Sequence, residues 1–265
     1  MSDSGSYDKD SIGNILLVAI LVCLVCSILV AGTAVALKPA QLANKQLDIR
    51  QNILRAAGLI GADSQSAEQV NALFEQFTIK LIELETGEYS EVVDLDKFDQ
   101  LKSSKDPAMS IKLPSDKDPA TIRRLEKYAL VYLIEGERGI EKVVLPVRGY
   151  GLWGTLYGYV AIDRDLDTIA GLTFYTHKET PGLGGEVDNP DWKALWSGVK
   201  IYSDGQPAIS LVKTRSSSEN IAAFEVDALS GASLTSRGVQ NLMRFWLGDK
   251  GFGPFLKKLS GESGA

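Results

Sequence analysis

Residues that commonly bind metals or form disulfides are scarce in this sequence. Its 265 residues include one histidine and two cysteines. Cys23 and Cys26 both lie inside a long apolar run, where we interpret them as small apolar side chains, because two thiolates alone do not complete a tetrahedral site. His177 has no histidine or cysteine near it in the sequence with which to share a metal ion. The sequence therefore predicts no metal centre.

Clusters of basic side chains are also missing. The formal net charge is −6, and the Lys and Arg residues form no long run. Proteins that bind nucleic acids through the phosphate backbone usually carry a basic patch or stripe. A nucleic-acid partner is therefore not expected.

Charge is absent altogether from the stretch that begins at Ile12 and ends at Leu37. As an α-helix this stretch would extend about 39 Å at ~1.5 Å per residue, enough to cross a hydrocarbon core of about 30 Å with some tilt. The segment before it is acidic, whereas a cleaved signal peptide begins with a basic segment. The sequence therefore predicts a leader, residues 1–11, an uncleaved transmembrane anchor in the lipid bilayer, 12–37, and a larger domain, 38–265.

The charges that flank the anchor leave its orientation open. One basic residue, Lys9, precedes the anchor, and four follow it closely: Lys38, Lys45, Arg50 and Arg55. The positive-inside rule alone would place the larger domain in the cytoplasm, but long domains can cross the membrane regardless of flanking charge.

Two helices are predicted at the start of the larger domain. Apolar residues between 42 and 57 recur at roughly helical spacing and predict a helix that ends near Gly58. Ser66 and Gln69 match a capping box, which predicts the start of a second helix.

Strand patterns dominate the rest of the larger domain. Turn residues predict hairpins that turn at Gly87 and at Gly136–Gly139, and a polar stretch with two prolines, Asp99–Asp118, predicts a surface loop. Further strands are predicted at 155–163 and 169–177, joined by a turn at Asp163–Asp167, and at 207–213 and 222–229. Helical patterns follow at 236–248 and 251–259. The predicted fold class is α+β, with an antiparallel sheet and flanking helices behind one transmembrane helix.

Four hydroxyl-bearing residues crowd the stretch Asp227–Gly238, DALSGASLTSRG. They are Ser230, Ser233, Thr235 and Ser236. The preceding residues are strand-like and the following ones helical, and the free N–H groups and dipole at such a helix start favour a phosphate. Gly231 lets the backbone approach a ligand closely, and Ala232 keeps bulk away. A serine that only caps the helix is the alternative interpretation.

A nucleophilic serine is another alternative for the same stretch. Ser233 lacks the Gly-x-Ser-x-Gly elbow and the Ser-x-x-Lys motif. A catalytic triad would have to recruit His177, the one histidine, with Asp191 or Asp227. Nothing in the sequence links these residues, so no residue is assigned a catalytic role, and an anchored serine hydrolase is kept only as an alternative function.

The stretch Thr176–Val187, THKETPGLGGEV, predicts a glycine-rich loop whose bare backbone can lie against a flat ligand. It does not match Gly-x-Gly-x-x-Gly, which disfavours a Rossmann phosphate loop. An ordinary glycine-rich turn is the alternative. The candidate binding residues of the loop are Glu179, Thr180, Gly182, Leu183 and Gly184.

Aromatic and small residues are interleaved in the stretch Arg148–Tyr159, RGYGLWGTLYGY. Aromatic residues at alternating positions are more often part of a sheet core than ligand contacts. Glycine inside a strand, however, indicates a close approach of backbone or ligand. Trp153 is therefore a candidate for stacking on a planar ligand.

Together these stretches resemble the family of C subunits of the Na⁺-translocating NADH:quinone reductase. An N-terminal anchor and the pieces GLWGTLYGYVAI, HKETPGLGGEV, VDALSGASLTSRGVQ and FWLGDKGFGPFL carry the resemblance, which extends over nearly the whole chain. Two of these pieces also occur in the G subunit of the related ion-translocating ferredoxin:NAD reductase complex, which is the alternative assignment. The C-terminal tail and the helix after the anchor favour the quinone reductase.

The resemblance implies an FMN-binding region at residues 145–250 and a covalent cofactor. In that family the last hydroxyl residue of Asp-x-x-Ser-Gly-Ala-Thr carries FMN through a phosphoester bond. The matching residues here are Asp227, Ser230, Gly231, Ala232 and, at the acceptor position, Ser233. Serine replaces the commoner threonine, and both residues offer one hydroxyl. Thr235 is the fallback acceptor.

The resemblance also implies partners and a location. A separate flavin transferase would attach the FMN, so the chain needs no base of its own beside the hydroxyl. The other expected partners are the membrane subunits of the same Na⁺-pumping complex, in which the FMN would carry electrons. The larger domain is expected on the periplasmic side of the bacterial inner membrane.

Overall fold

The computed structural model describes residues 11–61, 65–95, 97–137 and 139–263, so the predicted leader lies outside it except for Ser11. The chain forms two compact units, Met1–Asp48 and Ile49–Ala265. The helices are α1 (Ile12–Ala56), α2 (Ala67–Phe74), α3 (Gln100–Ser103), α4 (Pro190–Ala194), α5 (Glu219–Ala222), α6 (Ser233–Trp246) and α7 (Gly253–Ser263). Two short 3₁₀ helices lie at Ser115–Lys117 and Gly184–Asp188. The strands are β1 (Phe77–Glu83), β2 (Ser110–Lys112), β3 (Arg124–Glu126), β4 (Tyr128–Gly136), β5 (Gly139–Tyr150), β6 (Thr155–Asp163), β7 (Ile169–Thr176), β8 (Tyr202–Ser203), β9 (Gln206–Pro207), β10 (Ser210–Val212) and β11 (Glu225–Asp227).

The first helix joins two segments that the sequence predicts separately. The apolar stretch 12–37 and the following helix form one continuous α1, with Pro39 inside it. Large apolar side chains of the 12–37 stretch are exposed, and α1 is long and apolar enough to cross a membrane. The last turns of α1 differ, because Ile53 and Leu54 are fully buried in the second unit. The compact second unit begins at Ile49.

The second unit is built on a five-stranded antiparallel sheet with the order β1-β4-β5-β6-β7. The predicted hairpin around Gly136–Gly139 is confirmed as β4 and β5, and the predicted turn at Asp163–Asp167 joins β6 to β7. Each strand presents alternate side chains to one hydrophobic core, which α6 and α7 complete. The α+β class with an antiparallel sheet is confirmed.

The hairpin predicted at Gly87 is wrong in its second arm. The chain turns there, but among the described residues that follow the turn Tyr89 alone forms a bridge, with Ile82, while the other edge of β1 pairs along its whole length with β4. The turn packs against the start of α7, where a Cβ on Gly87 would lie 2.5 Å from the backbone nitrogen of Phe255. Tertiary packing therefore limits the local hairpin to one bridge.

The surface loop predicted at Asp99–Asp118 contains short regular elements. Asp99 caps α3 by accepting a hydrogen bond from the backbone N–H of Lys102 at 3.0 Å, and β2 pairs with β3. Both prolines lie outside α3 and β2, so they do not interrupt these elements. The capping box predicted at Ser66 is confirmed, because its hydroxyl and the side chain of Gln69 exchange hydrogen bonds with each other's backbone.

The C-terminal strands are shorter than predicted. The predicted stretch 207–213 contains β10 and the last residue of β9, and the stretch 222–229 contains β11. Strands β10 and β11 pair in parallel, outside the main sheet. Both C-terminal helices are confirmed, although α6 begins at Ser233, three residues before the predicted start.

Helix α6 is fixed on β5 by its apolar face and by one indole. Its buried residues include Val239, Leu242, Met243 and Trp246, at the spacing of one helical face. A Cβ on Gly149 of β5 would lie 2.8 Å from the Cβ of Leu242, so glycine permits this close approach. The Trp246 Nε1–H donates to the carbonyl of Arg148 at 2.7 Å. This packing carries the first turn of α6 to the end of β5.

Candidate functional site

The first turn of α6 separates the predicted hydroxyls by burial. Ala232 occupies the N-cap position, and Ser233 is the first helical residue and is exposed. Ser236 is buried, where its hydroxyl donates to the carbonyl of Ala232 and accepts from the N–H of Leu229, both at 3.0 Å. The alternative in which Ser230 or Ser233 caps the helix is therefore wrong, because an alanine holds that position.

Thr235 lies on the inner side of the same turn and is fully buried. Its hydroxyl donates to Oε2 of Glu179 at 2.6 Å. Oε1 of Glu179 accepts the backbone N–H groups of Leu152 and Trp153, each at 3.0 Å. One carboxylate, itself only 5% exposed, thus joins α6, the segment after β5 and the loop after β7. We define Glu179, Thr235 and these two amides as the buried clamp.

The buried clamp changes the interpretation of Glu179. The sequence predicts that this side chain contacts the ligand, but both of its oxygens accept hydrogen bonds from protein groups. A buried acceptor with three donors fixes those donors in place, because each would lose its partner if the carboxylate moved. In this structure the carboxylate of Glu179 holds three protein donors, and its predicted contact with a ligand stays a prediction.

Two glycines make room for the clamp. A Cβ on Gly184 would lie 2.5 Å from Oγ1 of Thr235 and 2.7 Å from Oε2 of Glu179. A Cβ on Gly151 would lie 2.6 Å from Oε1 of the same carboxylate. Gly182 differs, because its φ is +75° but no atom of a described residue lies within 4 Å of a Cβ built there. Close packing therefore requires glycine at the first two positions, and backbone conformation favours it at the third.

Three exposed apolar side chains lie on the segments that meet at the buried clamp and at the start of α6. Trp153 is 63% exposed, and its N–H is held by the buried clamp. Leu183 is 45% exposed and lies against Gly231, where a Cβ would be 3.1 Å from its Cδ2. Leu234, next to Ser233 in the chain, is 53% exposed. We define Trp153, Leu183 and Leu234 as the apolar rim.

The remaining predicted residues border this region. The carbonyl of Thr180 accepts the N–H groups of Leu183 at 3.1 Å and Gly185 at 2.9 Å, which closes the glycine-rich turn. The carbonyl of Asp227 accepts the indole N–H of Trp192 at 2.9 Å, and the side chains of Asp227 and Ser230 are exposed. Sequence reasoning missed Leu152, Gly151 and Leu234. The available signals were the two glycines that flank Leu152 and Trp153, and the position of Leu234 between two hydroxyl residues.

The histidine does not face a serine nucleophile. Nδ1 of His177 accepts the backbone N–H of Glu179 at 3.1 Å, so the ring proton lies on Nε2, which pairs with Oδ2 of Asp188 at 2.8 Å. Both ring nitrogens are thus engaged, and neither can take a proton from Ser233. The partner carboxylate is Asp188 rather than the predicted Asp191 or Asp227. The geometry disfavours the serine-hydrolase alternative.

Comparisons with known proteins identify the domain and the family. A domain profile described as the FMN-binding domain matches residues 151–248, inside the region 145–250 that the resemblance implies. The C subunit of the Na(+)-translocating NADH-quinone reductase of Pseudomonas aeruginosa is 49% identical over 255 residues, covering 95% of this chain and 97% of that protein. The protein of the same name from Yersinia pestis is 46% identical over 261 residues, covering 98% and 97%.

Solved structures of the same family also match this chain. The crystal structure of Shewanella oneidensis NqrC matches with a TM-score of 0.72 and 33% sequence identity, covering 84% of this chain and 99% of that one. The corresponding protein from Parabacteroides distasonis matches with a TM-score of 0.64 and 28% identity, covering 83% and 96%. The similarity to proteins with this name, over nearly the full length, favours the quinone reductase over the ferredoxin:NAD reductase complex. The chain belongs to the family of C subunits of the Na⁺-translocating NADH-quinone reductase.

Proposed function

We propose that this chain carries electrons within a Na⁺-translocating NADH:quinone reductase through FMN bound as a phosphoester on Ser233. The position of Ser233 carries the proposal, because its exposed hydroxyl stands on the first residue of α6, beside the apolar rim. The N–H groups of a helix's first turn have no intrahelical acceptor, and together with the helix dipole they favour a phosphate. The FMN-binding domain match at 151–248 supports the identity of the cofactor.

The burial of the two candidate hydroxyls distinguishes Ser233 from Thr235. The Thr235 hydroxyl is buried and donates to Glu179, so esterification there would remove a buried hydrogen bond and leave the carboxylate without one of its donors. Ser233 is exposed, and its esterification leaves the buried clamp intact. These contacts favour Ser233 as the acceptor.

The residues around Ser233 fit a flavin. The apolar rim provides exposed apolar and aromatic surface for a planar ring, and the buried clamp holds the backbone of Trp153 relative to α6. Bound FMN would supply the redox chemistry, while the protein supplies position and electrostatics. Glu179 contributes by orientation, since its carboxylate is occupied by protein donors.

Attachment of the flavin is assigned to a separate flavin transferase. The Oγ–P bond would replace the Oγ–H bond of Ser233 and one P–O bond of an activated flavin nucleotide, with the transferase taking the proton and releasing the leaving group. This division of labour fits the site, because the one histidine of the chain is already engaged by Asp188 and the backbone of Glu179.

The apolar part of α1 acts as a single-pass anchor in the lipid bilayer, and we propose that the larger domain lies on the periplasmic side of the bacterial inner membrane. Support comes from the family, whose attaching enzyme is expected outside the cytoplasm. A reporter cysteine at the exposed Asp116 should react with a membrane-impermeant maleimide in spheroplasts. Labelling only after the inner membrane is broken would place the domain in the cytoplasm.

The mass of the intact chain tests the covalent bond. Chain produced with its transferase should gain the mass of FMN minus one water. Ser233→Ala should lose this gain, whereas Ser233→Thr should keep it because threonine also offers one hydroxyl. Thr235→Val serves as the matched control at the buried hydroxyl and should keep the flavin. Flavin retained in Ser233→Ala but lost in Thr235→Val would move the site.

A further inference from the structure

A cleft that shares no residue with the flavin site opens where the end of α1, strand β7 and helix α4 meet. It has a volume of about 220 Å³ and is lined by Arg55, Lys193 and residues 170–173, among others. The end of α1 lies directly on β7, since a Cβ on Gly171 would be 2.5 Å from the carbonyl oxygen of Ala56. Glycine at 171 therefore brings Arg55 to the cleft.

Two positive charges face this cleft without a carboxylate partner. Within the described part of the chain, neither Arg55 nor Lys193 forms an ion pair or a side-chain hydrogen bond. Partial burial lowers the pKa of Lys193 below its ordinary value; the carboxylate of Asp188 opposes this shift, and the charge of Arg55 adds to it. Asp188 is itself bonded to His177 at 2.8 Å. The two cations therefore repel each other in a partly desolvated place.

Two hydroxyls complete the polar lining. Side chains alternate along a strand, so Thr173 lies on the same face of β7 as Gly171, while Leu172 and Phe174 face the core. Thr173 is only 2% exposed, yet its hydroxyl forms no hydrogen bond to any described residue. Ser197 provides a second hydroxyl at the rim of the cleft. Both hydroxyls line the cleft and can donate hydrogen bonds to an anion bound there.

We propose that this cleft binds a small tetrahedral oxyanion of phosphate type, through Arg55, Lys193, Thr173 and Ser197. These residues supply four donor groups, two of which are cationic. Such a set can donate hydrogen bonds to an anion that offers several acceptor oxygens. The volume of about 220 Å³ lies below the roughly 300–1,000 Å³ of drug-sized ligand sites, which favours a small anion. The same chemistry is offered by free inorganic phosphate and by the phosphate of a lipid headgroup.

Binding of inorganic phosphate to the full-length chain in detergent tests the proposal. Isothermal titration at constant ionic strength should show one saturable site, which Arg55→Gln and Lys193→Gln each weaken by about tenfold or more. Lys80→Gln, at an exposed lysine of β1, is the matched control and should bind as the wild type does. The proposal is overturned if neither substitution weakens phosphate binding. It is also overturned if neither inorganic phosphate nor a phospholipid binds saturably.

A second probe, short-chain phosphatidylglycerol, identifies the source of the phosphate. Saturable binding of this lipid with the same dependence on Arg55 and Lys193, and none of inorganic phosphate, would assign the cleft to a headgroup. Stronger binding of inorganic phosphate would assign it to the free anion. All variants should retain flavin on Ser233, so these outcomes are independent of the proposed electron-carrying function.

Thermal unfolding separates a binding role from a structural one. Without phosphate, Lys193→Gln should unfold at the same temperature as the wild type or higher, because like-charge repulsion with Arg55 is relieved. The same phosphate concentration should raise the unfolding temperature of the wild type by more than that of the variant, because the variant binds phosphate more weakly. A variant that is destabilised with and without phosphate, and that binds phosphate normally, would show that the cations only support the fold.

Discussion

The outer and inner sides of the first turn of α6 use the same kind of side chain for different purposes. On the outer side, Ser233 and Leu234 are exposed, as is the side chain of Trp153. On the inner side, the hydroxyl of Thr235 is fully buried and donates to Glu179. The difference shows that the role of a hydroxyl here follows from its burial and its partners. The inner hydroxyl joins α6 to Glu179, and the outer hydroxyl is free to react.

Loss of the clamp carboxylate should have the largest effect on stability. Glu179→Ala removes the acceptor of three donors, two of them backbone N–H groups, and leaves a cavity. The free energy of unfolding should fall by about 3 kcal/mol, because buried donors lose their partners. Urea unfolding of the full chain in detergent, followed by circular dichroism, measures this change.

The matched control is Glu179→Gln. It keeps the side-chain volume and one oxygen for the two amides, while its amide nitrogen can donate to the Thr235 hydroxyl. It should therefore lose less than half as much stability and still accept flavin on Ser233. Equal stability of the alanine and glutamine variants would contradict the role of the buried clamp.

Two glycines of one loop should respond differently to the same methyl group. In Gly184→Ala the new Cβ would lie 2.5 Å from Oγ1 of Thr235, so we expect a loss of about 2 kcal/mol and less covalent flavin. In Gly182→Ala only the positive φ of +75° is unfavourable, which should cost about 1 kcal/mol. Unfolding free energy and flavin content, measured on both variants, check the order. The reverse order would mean that backbone strain outweighs the contact with the clamp.

Substitution of Trp153, on the outer side, should change the flavin spectra and leave the stability of the fold almost unchanged. Trp153→Ala removes a side chain that is 63% exposed, so the unfolding free energy should change by no more than about 0.5 kcal/mol. Flavin absorbance and fluorescence should change, because the ring loses a stacking surface. Trp153→Phe is the control and should preserve most of the signal. Identical flavin spectra in all three proteins would remove Trp153 from the site.

The smallest effect is expected at the other end of the β6–β7 hairpin. Burial raises the pKa of Asp165, but hydrogen bonds from Lys200, Thr168 and the backbone outweigh it and lower the pKa from 3.8 to about 2. Because the folded-state pKa is depressed, Asp165 stabilises the fold above pH 3.8, and this contribution is lost as the pH falls through about 2.

Asp165→Asn tests that contribution and serves as a control for the site. The variant should unfold at a slightly lower temperature near neutral pH and lose less stability on acidification than the wild type does. Flavin attachment should be unchanged, because the turn lies at the end of the hairpin opposite to Trp153 and Glu179. Thermal unfolding between pH 2 and 6, with flavin mass as a second measurement, checks both points; a change in flavin attachment would contradict them.

Local chemistry made several elements predictable. The uncharged stretch 12–37, the capping box at Ser66 and the hairpin around Gly136–Gly139 depend on neighbouring residues, and the structure has all three. The one-bridge hairpin at Gly87 was not predictable, because the turn rests on α7, which lies far along the chain. Likewise α6 begins at Ser233 because Ala232, a weak capping residue by propensity, is placed there by the preceding strand and loop.

The sequence by itself determined the anchor, the α+β class, the strand-to-helix position of the hydroxyls and, through its resemblance, the family. These features follow from charge, periodicity and motif spacing, which act over short distances along the chain. Only the tertiary structure decided that Glu179 accepts its hydrogen bonds within the buried clamp, that Thr235 is buried while Ser233 is exposed, and that Arg55 and Lys193 share a cleft. Each of these facts depends on residues that lie far apart in the chain and meet only when the sheet and helices pack.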